Sequence, residues 1–233
     1  FEQMGPRRNC VTLSCFVDLV ISKLLKNRIH GFLFSFDNER LNSVDCGNND
    51  TLFSWITMED PCVKSMRDQV QRELHASMQY LAMAAHFSRD VINRPGFAKT
   101  FFESASEERE HAIKLIEYLS MRGELTSEVS SLITMPEVKK SEWATGVEAL
   151  KDALKLEAKV TDYIRGVIKV CENNEAFNDY HLVDYLTDEY LTEQYHGQRV
   201  LAGQASTLDK MMGAHGALGE FLFDKKLLSG APL

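Results

Sequence analysis

The chain has 233 residues, 44% hydrophobic and 26% charged, with a formal net charge of −8, the composition of a globular protein large enough for one well-packed core. The acidic balance argues against nucleic acid as a partner, since phosphate binding needs clustered Lys and Arg, and it favours metal cations. No apolar run approaches the ~20 residues that span a bilayer, so no membrane insertion is predicted.

Residues 1–51 read as an N-terminal extension of uncertain status, and residues 52–233 as a helical domain. Within the extension, "GPRRNCVTLSCFVDLVISKLL" sets two arginines ahead of an apolar run, as a leader does, but Asp18 interrupts the run and no small-residue cleavage site follows. The five cysteines (Cys10, Cys15, Cys46, Cys62, Cys171) show no CxxC spacing, which indicates neither a zinc site nor a redox pair.

Four long amphipathic helices and a short fifth are predicted, with no β-alternation, so the class is all-α. In "TMEDPCV" Asp60 is a candidate N-cap and Pro61 a first helical residue; the first helix then runs to about Arg89. "NRPGF" restarts the chain as a second helix that stops near Gly123. The stretch from Glu124 to Lys140, with Pro136, is long enough to cross the bundle and join two parallel helices. Ser141 is read as the cap of the third helix, which reaches about Cys171. After the break "CENNEAFND" a fourth helix is predicted from about Tyr180 to Leu208, and "GALGEFLFDKKLL" gives the fifth.

Helical projection at ~100° per residue tests where the acids of "SASEEREHAIKL" fall. Phe101, Ala105, Ala112, Leu115, Ile116 and Leu119 make one apolar stripe, with Glu108 near its centre and His111 at its edge. The other long helices repeat the pattern. Glu73 sits amid Met66, Val70, Ser77, Ala84 and Phe87, with Tyr80 on the same face. Glu157 sits amid Leu150, Ala153, Leu154, Ile164 and Ile168, and Gln194 amid Thr187, Tyr190, Leu191, Leu201 and Ala205. Four helices thus aim Glu73, Glu108, Glu157 and Gln194 at one core.

One such acid could be satisfied by a lysine or arginine. Three together repel one another unless they share cations or protons, and an oxygen-rich set with one imidazole suits iron or another divalent first-row metal. Glu108-x-x-His111 is the ligand step of di-iron bundles. Glu193-x-x-His196 has the same spacing, but the projection turns His196 nearly opposite Gln194 and Glu193 well to one side, so both are read as surface or inter-subunit residues.

The segments "RELHASMQYLAM", "GFAKTFFESASEEREHAIKL", "ALKLEAKV", "YLTEQ" and "GEFLFDKKLL" together resemble ferritin of the heavy-chain, catalytically active type, from about Leu52 to Leu228. The resemblance implies a ferritin-like four-helix bundle with a long crossover and a short fifth helix. It also implies assembly into a hollow shell that stores ferric mineral, and oxidation of Fe(II) by dioxygen. By the same resemblance Glu73, Glu108 and His111 hold one iron, and Glu108 bridges to a second held with Glu157. Gln194 supports bound oxygen or water, Glu107 is a mobile second-site ligand, and Tyr80 is hydrogen-bonded beside the centre. Asp184 matches a carboxylate of the threefold iron channel, whereas Thr187 stands where heavy chains commonly carry a second acid. Glu107 and Glu110 would face the cavity, and Ile113 replaces a further acid there.

A di-iron oxygenase or peroxidase would want a second inward Glu-x-x-His, and a non-catalytic shell subunit would have lost part of the ligand set. The placement of Cys46 and Cys62 resembles the secreted ferritins of insects, whose shells mix heavy-type with light-type chains. That likeness implies a secretory route, with Cys46 and Cys62 oxidised to each other or to a light-type subunit, and Cys171 a free core thiol. Asn49-Asp50-Thr51 is a glycosylation acceptor that only such a route could use; the cytoplasm is the alternative.

Overall fold

The structure is a computed structural model and describes residues 58–125, 129–172 and 178–230, with side chains omitted at 129 and 130. Asn49, Cys46 and the candidate leader lie outside the described residues. Its helices are α1 (Asp60–Ser88), α2 (Pro95–Met121), α3 (Val129–Leu132), α4 (Gly146–Glu172), α5 (Tyr180–Tyr185), α6 (Thr192–His215) and α7 (Ala217–Ser229). A π-helical turn, Leu186–Leu191, joins α5 to α6, so the predicted fourth helix is one rod with a wider turn near its start.

The observed boundaries correct several expectations. Glu59, not Asp60, occupies the N-cap of α1, and Asp60 falls in the first turn, where a carboxylate favours the positive end of the helix dipole. The crossover is longer than read, carries the single turn α3, and gives way to α4 only at Gly146. Ser141 therefore caps nothing. The operative signal is "TGVE": Thr145 Oγ1 accepts from the Glu148 amide at 3.1 Å, and the Glu148 carboxylate accepts from the Ala144 amide at 2.8 Å, close to a capping box. Gly123 does end α2, with φ 76°. The last long helix runs through Gly213 and breaks only at Gly216, whose φ of 58° a side chain would resist.

The crossover makes α4 run parallel to α2 and antiparallel to α1, so the first turn of α1 meets the last turn of α4. There Cys62 and Cys171 form a disulfide, Cα atoms 4.9 Å apart. This overturns the reading of Cys171 as a free thiol and of Cys62 as the partner of Cys46 or of another subunit. The two cysteines lie 109 residues apart, and only the antiparallel placement of their helices joins them.

At the opposite end α7 closes the bundle by capping two other helices. Asp224 Oδ1 accepts from the amides of Gly96 and Phe97 at 2.7 and 3.1 Å. Glu220 accepts from the Gly146 amide at 2.9 Å and from Arg94 at 3.0 Å. Gly96 is required by this docking, since a Cβ there would run into the Asp224 carbonyl.

The core is two apolar clusters with a polar layer between them. One contains Met66, Val70, Leu115, Ile164 and Tyr190; the other Tyr80, Phe87, Phe101, Leu150, Leu208 and Phe223. Along the bundle the chain passes from one cluster to the other across buried polar residues: Glu73 to Ser77 on α1, Glu108 on α2, Glu157 on α4 and Gln194 on α6.

Candidate metal centre

The inward stripes of α1, α2 and α4 carry their acids into the bundle as predicted. Glu73 is fully buried, Glu108 is 3% exposed, and His111, Glu157 and Gln194 are also buried. Glu73, Glu108 and His111 each offer a ligand atom, and these atoms lie within 4.8 Å of one another. Glu73 Oε2, Glu108 Oε2 and His111 Nδ1 are buried with no hydrogen-bond partner. Burying such atoms unsatisfied costs free energy, and a cation among them removes that cost. The donor set, carboxylate oxygens with one imidazole nitrogen, fits iron.

Burial pushes Glu73 and Glu108 well above the usual carboxylate range; the charge of Glu108 adds to the effect on Glu73, and that of Glu157 to the effect on Glu108. Glu157 is raised by burial too, with hydrogen bonds from Tyr80 and Gln194 acting the other way. Burial thus favours the protonated form of each group, and a cation among them would favour the charged form.

Around the trio the polar layer is hydrogen-bonded. Gln69 Nε2 donates to Glu73 Oε1 at 2.8 Å. The Tyr80 hydroxyl donates to Glu157. Thr161 Oγ1 lies 2.9 Å from Gln194 Oε1 and accepts from Gln198 Nε2 at 2.6 Å, which fixes Gln194 to α4. Gln69, Thr161 and Gln198 were missed by the sequence reading, because a neutral polar residue on an inward stripe stands out far less than an acid.

Helix α6 upholds two surface assignments. Glu193 is exposed, as read, yet its Oε2 reaches within 3.1 Å of His111 Nε2, a contact across helices that places it at the rim of the cluster. His196 is exposed, as the projection gave. Thr187, projected onto the inward stripe, is exposed instead, because it lies within the π turn, whose wider step breaks the phase of a uniform helix before Gln194. Glu107 is exposed beside Glu193, and burial followed by the charge of Glu193 raises its pKa. Asp184 is likewise exposed, as are Glu110 and Ile113.

Comparison with known proteins agrees with this fold. A family model described as a ferritin-like domain matches residues 63–211. The chain is 66% identical to the ferritin heavy chain of Trichoplusia ni over 174 residues, which is 75% of this chain and 82% of the relative. It is 62% identical to the ferritin heavy chain of Drosophila melanogaster over 173 residues, 74% of this chain and 84% of that one. The crystal structure of Trichoplusia ni secreted ferritin superposes with a TM-score of 0.75 at 59% identity, covering 84% of this chain and all of the other. The chain belongs to the ferritin family, as an iron-storing subunit of the heavy, iron-oxidising type.

Proposed function

We propose that Glu73, Glu108, His111 and Glu157 bind two ferrous ions as the ferroxidase centre of this subunit. Glu73 and His111 take one ion, Glu157 the other, and Glu108 bridges them. The observation that carries this reading is the trio of buried, unpartnered ligand atoms on Glu73, Glu108 and His111. Ferrous iron is the substrate: it gives its electrons to dioxygen, and the ferric product leaves for the mineral store.

The chain's own residues set the conditions for that chemistry. The carboxylates release protons as iron enters and offset the ions' rising charge on oxidation. Tyr80 orients Glu157, and Gln194, anchored through Thr161, supports bound oxygen or water. Glu107, with Glu193 beside it, gives a second-site ligand at the cavity-facing rim, where product can leave for the mineral. At the shell's threefold entrance Asp184 draws cations, with weaker focusing because Thr187 is neutral.

Secretion and a light-type partner chain complete the reading. The Cys62–Cys171 disulfide supports an oxidising compartment, since reducing ones keep such thiols open, and the secreted Trichoplusia ni ferritin is a close structural match. Anaerobic Fe(II) titration followed by stopped-flow oxidation tests the centre. Two tight ferrous sites per subunit, both lost in Glu108→Ala, are expected; unchanged binding in that variant would overturn the assignment.

A further inference from the structure

A groove lies between α1, α4 and the crossover that passes over them, and none of the residues lining it belongs to the metal centre. Two glutamines of α1 pin the crossover as its wall. Gln71 Nε2 donates to the Thr134 carbonyl at 2.8 Å and its Oε1 accepts from the Thr134 amide at 2.9 Å, while Gln79 Nε2 donates to the Lys140 carbonyl at 2.7 Å. The groove has a volume of about 740 Å³, within the range of roughly 300 to 1,000 Å³ usual for small-molecule sites. Its floor is apolar, with Met83 and Val160 buried and Leu156 partly so.

The rim is cationic, on a chain whose net charge is −8. Five basic side chains, Arg72, Lys139, Lys140, Lys155 and Lys159, line the groove against three acids, Glu137, Asp152 and Asp162. Asp152 already meets Lys140 at 2.6 Å and Lys155 at 3.1 Å, and Asp162 lies 3.9 Å from Arg165. Lys139 and Lys159 are exposed and meet no carboxylate at ion-pair distance among the described residues. Both of their charges act on His75 in the groove wall, whose pKa is lowered by burial and then by the two ammonium groups. The Arg72 guanidinium lies over Tyr163, 3.6 Å from the ring centroid, and in that position it keeps its edge N–H donors for an anion. Like charges gathered around one depression repel, and an anion seated among them removes that cost. Lysines that served only solubility would need neither a pinned wall nor an apolar floor.

We propose that this groove binds an organic phosphate of nucleotide size, its phosphates held by Arg72, Lys139 and Lys159 and its apolar body seated on Met83, Leu156 and Val160. Phosphate suits the donors, since arginine offers paired N–H groups and lysine a mobile point charge. The binding is non-covalent and stands apart from the iron chemistry, so the ferroxidase reading neither supports it nor depends on it.

Isothermal titration calorimetry of assembled, iron-free shells with ATP, in magnesium-free buffer at low ionic strength, tests this. One site per subunit is expected, weakening as salt is added because the contacts are between charges. Inorganic triphosphate, which has no apolar body, should bind about 10-fold more weakly, and adenosine should not bind measurably. Lys139→Glu combined with Lys159→Glu should weaken ATP binding at least about 10-fold. Lys64→Glu combined with Lys210→Glu makes the same change of net charge at exposed positions outside the groove and should leave the affinity near that of the parent. Lys139→Ala combined with Lys159→Ala serves in place of the reversal should that variant fail to assemble. No ATP binding up to about 1 mM, or an equal loss in both pairs of variants, would overturn the site. Triphosphate binding as tightly as ATP would overturn it too, because the apolar floor would then hold nothing.

Discussion

His111 Nδ1 lies 3.9 Å from Glu108 Oε2 across a single turn of α2, and neither atom has a hydrogen-bond partner. A purely structural Glu-x-x-His pair would be expected to close that gap or to turn each group toward another partner. Held apart and buried, the two atoms are placed to share a cation. Glu108→Ala combined with His111→Ala should therefore slow Fe(II) oxidation by at least about 100-fold, beyond what loss of outer partners usually costs. Stopped-flow absorbance on assembled shells measures this, and oxidation at the parent rate would show the wrong residues were chosen.

The same burial makes a prediction about pH. Glu73 and Glu108 have native pKa values raised above their ordinary 4.5, so above that pH the metal-free fold binds more protons than the unfolded chain. Its stability should decline as pH rises from about 4.5 toward the raised native values. Glu108→Gln removes one contributor and should flatten the decline. It should also raise the neutral-pH Tm of the metal-free protein, by about 2–4 °C for each kcal/mol recovered. Calorimetry across the acidic to neutral range decides it: a steeper decline in the variant would mean that Glu108 is not held protonated by its burial.

Helix α6 supplies a pair of contrasting variants. Glu193 Oε2 contacts His111 Nε2 at 3.1 Å, while His196 is exposed. Glu193→Gln should weaken ferrous binding or oxidation by about 10-fold, in the range of outer-shell partners, and His196→Ala should leave both near the parent values. Anaerobic titration and oxidation kinetics on the two variants would reveal a reversed order if α6 were rotated.

Peptide mapping without reduction should recover Cys62 linked to Cys171. Replacing both by serine should lower unfolding stability by about 2–4 kcal/mol, the usual range for a bridge closing a long loop, with little effect on iron oxidation. Recovery of Cys62 bound to Cys46 or to another subunit would contradict the structure.

At the other end of the bundle, Asp224→Ala removes the side chain that accepts from the Gly96 and Phe97 amides. A loss of about 0.5–2 kcal/mol is expected, as for other helix caps, and thermal denaturation of the assembled shell reads it. No change in Tm would mean that solvent caps α2 just as well.

Much of this protein was legible in sequence because helical periodicity is a local property. Glu73, Glu108 and Glu157 stand at the centres of apolar stripes, and an acid in such a place announces a buried charge that needs a cation. The helix breaks at Gly123 and after Cys171 follow from local backbone chemistry in the same way. Tertiary structure decided what depends on two segments meeting. Cys62 finds Cys171 only because the crossover reverses α4 against α1, and no spacing rule connects positions so far apart. Asp224 and Glu220 cap helices that begin far upstream, so their roles are invisible in "GEFLFDKKLL". Glu193 reaches His111 from the neighbouring helix, and the π turn at Leu186–Leu191 turned Thr187 outward, where a uniform ~100° step held it inside. Projection assigns a residue to a face of its own helix; the length of its side chain, the phase of the preceding turn and the identity of the opposing helix fix what it touches.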